Sequence, residues 1–190
     1  VGDVSDQAVF LRMADEFARI GGRIDAIVNN AMLLHYCPIE QVGDERLTVM
    51  LNVGIKAVFW SAQALLTHYD KARGASIINM SSPVAHRGYP NTSAYSAVKG
   101  AITTLTKVLG AELGPKGIRV NAVSPASVPT PGALGLNSKE VYEKRAATIP
   151  LRRIGTEQDN SNAIAFLLSR EASFVNGEIF NVDGGASSAG

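Results

Sequence analysis

The stretch Ser93-Ala94-Tyr95-Ser96-Ala97-Val98-Lys99-Gly100 opens a helix over residues 94–113, with Ala94, Ala97, Val98, Ala101, Ile102, Leu105, Val108 and Leu109 along its apolar side. One apolar run, Ser76 to Met80, precedes it and another, Ile118 to Val123, follows. The helix is therefore the crossover of a strand–helix–strand unit. Tyr95 and Lys99 are four residues apart, one turn along the same helical face. A phenol beside an ammonium is a proton-transfer pair. The positive charge favours phenolate and is expected to lower the tyrosine from its usual value of about 10. Such a tyrosine takes a proton from an alcohol or gives one to a carbonyl. With 5 Tyr and 7 Lys in 190 residues, chance supplies about 0.2 such pairs. The pair alone is thus also compatible with an ordinary exposed helix surface, and its surroundings have to decide.

Working outward, Ser5 is expected to cap a helix ending near Ile20, with Val9, Met13, Phe17 and Ile20 on one face and Gly21-Gly22 as its stop. Ile24 to Val28 reads as a buried strand that ends in Asn29-Asn30-Ala31. Residues 44–72 read as one long helix. After the third strand, a loop with Pro125, Pro129, Pro131, Gly132 and Gly135 leads to a short helix near 138–147. Residues 157–169 form another helix, and Glu178 to Val182 a last strand closed by Asp183-Gly184-Gly185. Strands alternating with long helices imply right-handed crossovers. The expected fold class is α/β, a doubly wound parallel sheet with helices on both faces. Ligands of such sheets sit outside the carboxyl ends of the strands. Asn29-Asn30, Ser81-Ser82 and Ser124-Pro125 all fall there.

Composition narrows the function classes. The length of 190 residues suits one domain, and a hydrophobic content of 46% is enough for a core. A net charge of +1 with no basic stripe argues against a nucleic-acid partner. No run of 18 apolar residues and no signal-peptide pattern is present, so no membrane partner is expected and the setting is read as cytoplasmic. The single Cys37 excludes an intrachain disulfide framework. His35, His68 and His86 have no metal-ligand spacing, so no metal site is expected.

Taken together, the motifs resemble the short-chain dehydrogenase/reductase family, the single-domain type with a Rossmann-like fold. The stretches that carry the resemblance are Asp3-Val4-Ser5-Asp6, Asn29-Asn30-Ala31, Ile77-Ile78-Asn79-Met80-Ser81-Ser82, Tyr95-Ser96-Ala97-Val98-Lys99, Val120-Asn121-Ala122-Val123-Ser124-Pro125 and Val182-Asp183-Gly184-Gly185. The resemblance covers the whole chain and implies hydride transfer between NAD or NADP and a carbonyl or secondary alcohol. It puts the catalytic serine 13 residues before the tyrosine, at Ser82 rather than Ser81. By resemblance, Ser82 bonds the substrate oxygen, Tyr95 is the acid/base, and Lys99 holds the nicotinamide ribose and tunes the tyrosine. Asp3 and Val4 match the pair around adenine, and Asn30 and Ala31 the turn past the adenosine ribose. Pro125 begins the loop in which Val128 and Thr130 match contacts to the nicotinamide half. A homodimer or homotetramer is also implied. Taken singly, Ser82 reads equally as a serine capping a turn, Asp3 as a helix-entry carboxylate, and Thr130 as an ordinary loop residue.

The chain departs from the family pattern in four places. The chain begins Val1-Gly2-Asp3-Val4, and the family's N-terminal strands and Gly-rich phosphate-binding turn are expected to be absent from it. The alternatives are a piece of a longer protein or a chain that does not bind a dinucleotide in the family manner. By resemblance, the family's catalytic asparagine, which holds a water joining the lysine to solvent, falls on Gly54, which removes the side chain and leaves space that a water can fill. Asn52 points elsewhere on an ordinary helix. Met32 stands where the family usually has Gly, and is expected near the nicotinamide end. Ala126 replaces a usual Gly, which is unfavourable if that position needs a positive φ.

Asn160 falls on the apolar face of its helix and needs a hydrogen-bond partner there. His86 and Arg87 read as surface loop residues, and Phe59, Trp60 and Tyr69 as core or subunit contacts. Substrate choice is expected in the loop 127–150, with Leu134, Leu136, Val141 and Tyr142. Two functions from different classes stay open: the oxidoreductase, and a catalytically impaired or non-catalytic scaffold or binding module on the same fold. An epimerase or dehydratase usually needs a larger substrate domain.

Overall fold

Parallel pairing sets the frame of the computed structural model, which describes residues 1–130 and 138–189. Four strands, β1 (Ala26–Asn29), β2 (Ala75–Met80), β3 (Ile118–Pro125) and β4 (Ile179–Val182), form one sheet in the order β1-β2-β3-β4. Every pair is parallel. The register puts Asn29 beside Asn79 and Met80 beside Val123, so the carboxyl ends of β1, β2 and β3 lie at one edge. The helices are α1 (Gln7–Gly21), α2 (Asp44–Leu51), α3 (Ala57–His68), α4 (Ser93–Leu113), α5 (Lys139–Thr148) and α6 (Glu157–Leu168).

Alternation along the strands decides which helix covers which face. Ile77, Ile118 and Val120 pack with Met50 of α2, Val58, Ala62 and Leu65 of α3, and Val98, Ile102, Leu109 and Leu113 of α4. Ile78 and Val123 face the other way and pack with Leu167 of α6. The chain is thus an α/β Rossmann-like fold with helices on both sheet faces. At the last strand's end, Asp183 is 7% exposed and closes the turn by accepting from the Gly185 and Ser187 N–H groups, at 2.9 and 2.8 Å.

Several sequence expectations are corrected. The cap of α1 is Asp6, whose carboxylate accepts from the Ala8 and Val9 N–H groups, while Ser5 precedes it in the turn. Phe17 and Ile20 are exposed and Ala18 is the buried residue of α1, so the packed stripe is rotated from the one the apolar spacing suggests. Val108 on α4 is likewise half exposed. Strand β1 is an edge strand with alternating exposed and half-buried residues, not a buried one. The long helix over 44–72 stops at His68 and is interrupted by one π-helical turn, Asn52–Lys56, between α2 and α3. Leu134 and Leu136 lie outside the described residues.

Candidate active site

The carboxyl end of β2 and the first turns of α4 build the site. Ser81 and Ser82 follow β2, but alternation sends them opposite ways. Ser81 is 3% exposed, and its hydroxyl meets that of Thr103 at 2.7 Å inside the core. Ser82 is half-buried with extended backbone, and its Oγ accepts weakly from the Val84 N–H at 3.5 Å. It caps a turn, and its hydroxyl is the neighbour that opposes the upward shift of the Tyr95 phenol.

Tyr95 and Lys99 rise on one face of α4, as the four-residue spacing requires. The Lys99 amine lies 5.5 Å from the centre of the Tyr95 ring and donates to the Met80 carbonyl at 2.5 Å. Lys99 is 4% exposed. Burial lowers its pKa to about 8, because the charged amine is kept from water. Tyr95 moves the opposite way from the sequence expectation. Burial, and then the neighbouring Tyr36, raise it above the usual phenol value, and the Ser82 hydroxyl only partly offsets them. Desolvation dominates at the phenol, and burial makes the lysine's own charge costly as well. Tyr95 therefore holds its proton at neutral pH.

Tyr36 carried no sequence signal, yet its ring packs edge-on against Tyr95 at 5.4 Å between centres and 76° between planes. It stands on the loop after β1, beyond the reach of local spacing arguments. A buried polar ladder below the site was also missed. Asn29 Nδ2 donates to Ser61 Oγ and to Asn79 Oδ1, both at 2.8 Å, and Asn79 Nδ2 donates to Thr106 Oγ1 at 3.0 Å. It ties β1, β2, α3 and α4 together just beneath the strand ends. The signal that existed was the Asn29–Asn79 register pair, which needs the strand pairing to be known.

The remaining predicted residues are spread along the chain. Asn30 and Ala31 are exposed directly after β1. Pro125 ends β3, and the Thr130 N–H donates to the Val128 carbonyl at 2.9 Å in the loop beyond. Asp3 is exposed ahead of α1 and accepts from the Ser5 N–H at 2.8 Å, which holds its carboxyl below the usual range. Val4 is half-buried beside it.

The departures from the family pattern also resolve. Gly54 is packed against Val98 and Met32, so side chains rather than water occupy that space. Met32 is half-buried and packs against the core. The Asn52 Oδ1 is buried without a protein partner. Among the described non-glycine residues, positive φ occurs at Asn91 and Arg152, so Ala126 pays no backbone penalty. Asn160 is buried, with its Nδ2 bonded to the Thr156 carbonyl and its Oδ1 unpartnered. Arg87 donates to the Ser187 carbonyl at 3.0 Å, which ties its loop to the chain's last described residues.

The site fits a nicotinamide dinucleotide on one observation above all. Lys99 has three N–H donors and, among the described residues, one acceptor, the Met80 carbonyl. The other donors suit the ribose hydroxyls of a cofactor laid across the strand ends.

Comparison with known proteins agrees. The family model described as Enoyl-(Acyl carrier protein) reductase matches residues 1–187. Over 183 residues the chain is 34% identical to a 3-oxoacyl-acyl-carrier-protein reductase of Thermotoga maritima, covering 96% of this chain and 74% of that one. Over 185 residues it is 37% identical to a 3alpha-hydroxysteroid dehydrogenase of Mediterraneibacter gnavus, covering 97% and 74%. A gluconate 5-dehydrogenase of Burkholderia cenocepacia, solved with NADP and tartrate, superposes with a TM-score of 0.91 at 32% identity, covering 99% of this chain and 74% of that one.

Proposed function

Because the chain belongs to the short-chain dehydrogenase/reductase family and is an NAD(P)-dependent oxidoreductase, we propose that Tyr95, Lys99 and Ser82 carry its proton chemistry. The observation that carries this reading is the stack of a protonated Tyr95 and a buried Lys99 beside the Ser82 hydroxyl.

The nicotinamide supplies or accepts the hydride. In the reducing direction Tyr95 gives its phenolic proton to the substrate oxygen as that oxygen gains charge. Ser82 donates a hydrogen bond to the same oxygen and fixes its position. The Lys99 ammonium stabilises the tyrosinate left behind, and its free donors hold the ribose. In the oxidising direction the phenolate takes the alcohol proton back. Asn30, Ala31, Pro125, Val128 and Thr130 are the further cofactor contacts, with Asp3 and Val4 on the adenine side. NAD or NADP fills this place.

The substrate is a small carbonyl or secondary alcohol compound. The names of the relatives span a 3-oxoacyl group, a 3α-hydroxysteroid and gluconate, which share an oxygen on a carbon that changes oxidation level. Residues 1–190 are read as one domain. A homodimer or homotetramer is supported by exposed apolar residues on helix faces, such as Phe59 and Val108.

The test is Tyr95→Phe. Turnover of ethyl acetoacetate with NADH or NADPH is expected to fall at least ~100-fold, on the scale of general acid catalysis, while the circular dichroism spectrum and melting temperature stay close to the parent's. Undiminished turnover in a folded variant overturns the assignment.

A further inference from the structure

Gly54 is buried within the wide turn Asn52–Lys56, at the point where that turn meets α4. Its φ is not in the left-handed region, so conformation does not call for glycine. Space does. A Cβ at position 54 would overlap Val98 Cγ1, while lying 3.5 Å from Val98 Cβ and 3.4 Å from Met32 Sδ. Val98 is fully buried and immediately precedes Lys99. It is β-branched and stiff in a helix, so it cannot swing aside cheaply. The close approach of the two backbones therefore depends on the missing side chain.

We propose that Gly54 is a positioning residue for Lys99. By letting the wide turn press directly on Val98, it fixes how α4 seats, and with that the place of the Lys99 amine between the Tyr95 ring and the Met80 carbonyl. Met32 backs the same contact, so apolar side chains fill the ground beside the start of α4. The chain thus replaces a polar, hydrated connection to Lys99 with an apolar plug. This inference rests on the reading of Lys99 as the partner of Tyr95.

The test is a cycle of Gly54→Ala, Val98→Ala and the double variant in the full chain. Three measurements are needed: kcat and KM for ethyl acetoacetate with NADH or NADPH, the titration of Lys99 by NMR, and the melting temperature. In Gly54→Ala the new methyl pushes against Val98. A displacement of this kind is expected to lower kcat by about tenfold or more with KM changed less than about threefold. The Lys99 midpoint is expected to rise from near 8 as water reaches the amine. In Gly54→Ala/Val98→Ala the Cβ atoms meet at an ordinary 3.5 Å. Both kcat and the Lys99 midpoint should then return toward the parent. Should Gly54→Ala fail to fold, Val98→Ala alone opens the contact from the other side and should move the midpoint in the same direction. The proposal is overturned if Gly54→Ala leaves kcat and the midpoint unchanged, or if the double variant is as impaired as Gly54→Ala. It is equally overturned if the melting temperature falls without a shift of the midpoint. Lys99→Met separates the two readings: full turnover there sinks the assignment of the site, whereas a dead Lys99→Met beside a silent Gly54→Ala sinks only the role of Gly54.

Discussion

Burying Lys99 links this chain's stability to pH through one side chain. Burial lowers the folded-state pKa to about 8, while the unfolded chain keeps its lysine near the model value of 10.5. Between those values the unfolded state binds the extra proton, so stability rises with pH. Below about 8 both states are charged, and the cost of the buried charge is present in full. Lys99→Met removes the effect. The parent should gain on the order of 2–3 kcal/mol relative to Lys99→Met as pH goes from 7 to 10. Urea unfolding at several pH values measures this, and parallel stability curves for the two proteins would contradict it. Tyr95 moves the other way, since burial favours its neutral form. The two shifts together describe a pair in which burial makes both charged forms costly.

At the scale of elements, the polar ladder beneath the site holds two strands to two helices. Asn79 is fully buried and bonds both Asn29 and Thr106. Asn79→Leu should cost about 1–3 kcal/mol, because the Asn29 amide and the Thr106 hydroxyl each lose one of their hydrogen bonds. The melting temperature reads this directly, and an unchanged value would show that the ladder rearranges. This ladder also marks the limit of what could be read beforehand. The strands, the crossover helix and the Tyr95–Lys99 pair were legible because each follows from local spacing, apolar runs and a four-residue step. Ser82 over Ser81 came from the resemblance, and the structure adds that Ser81 turns into the core against Thr103. The Asn29–Asn79 bond, the Tyr36–Tyr95 contact and the Gly54–Val98 contact join residues that the fold alone brings together. The exposed side of α1 was misread for a related reason. Apolar spacing shows that Phe17 and Ile20 share a face, but not what the face meets.

For the molecule as a whole, one sheet edge collects the polar strand ends, and helices guard both faces. The chain spans about three-quarters of the length of these relatives, 74% of the 3-oxoacyl-acyl-carrier-protein reductase, of the hydroxysteroid dehydrogenase and of the gluconate 5-dehydrogenase alike. Phe59 on α3 and Val108 on α4 face outward, at 44% and 50% exposure. If copies of the chain meet through these helices, Phe59→Asp/Val108→Asp should shift the species in solution to a smaller mass by light scattering, because charge is poorly tolerated at the centre of an interface. An unchanged mass would place any contact elsewhere. The π-helical turn Asn52–Lys56 bears on the entire assembly in another way. It acts as a phase joint between two rigid rods. Each residue of an α-helix accounts for about 100° of rotation and 1.5 Å of rise. The wide turn takes up one extra residue, so removing one would let it close into ordinary α-helix and keep Ser61 facing Asn29 and Leu65 in the core, whereas adding one more would swing α3 around its axis and carry both away. The joint is therefore one-sided: a one-residue, frame-preserving deletion between Asn52 and Lys56 should leave the faces of α2 and α3 in phase, where a one-residue insertion would throw them out of it.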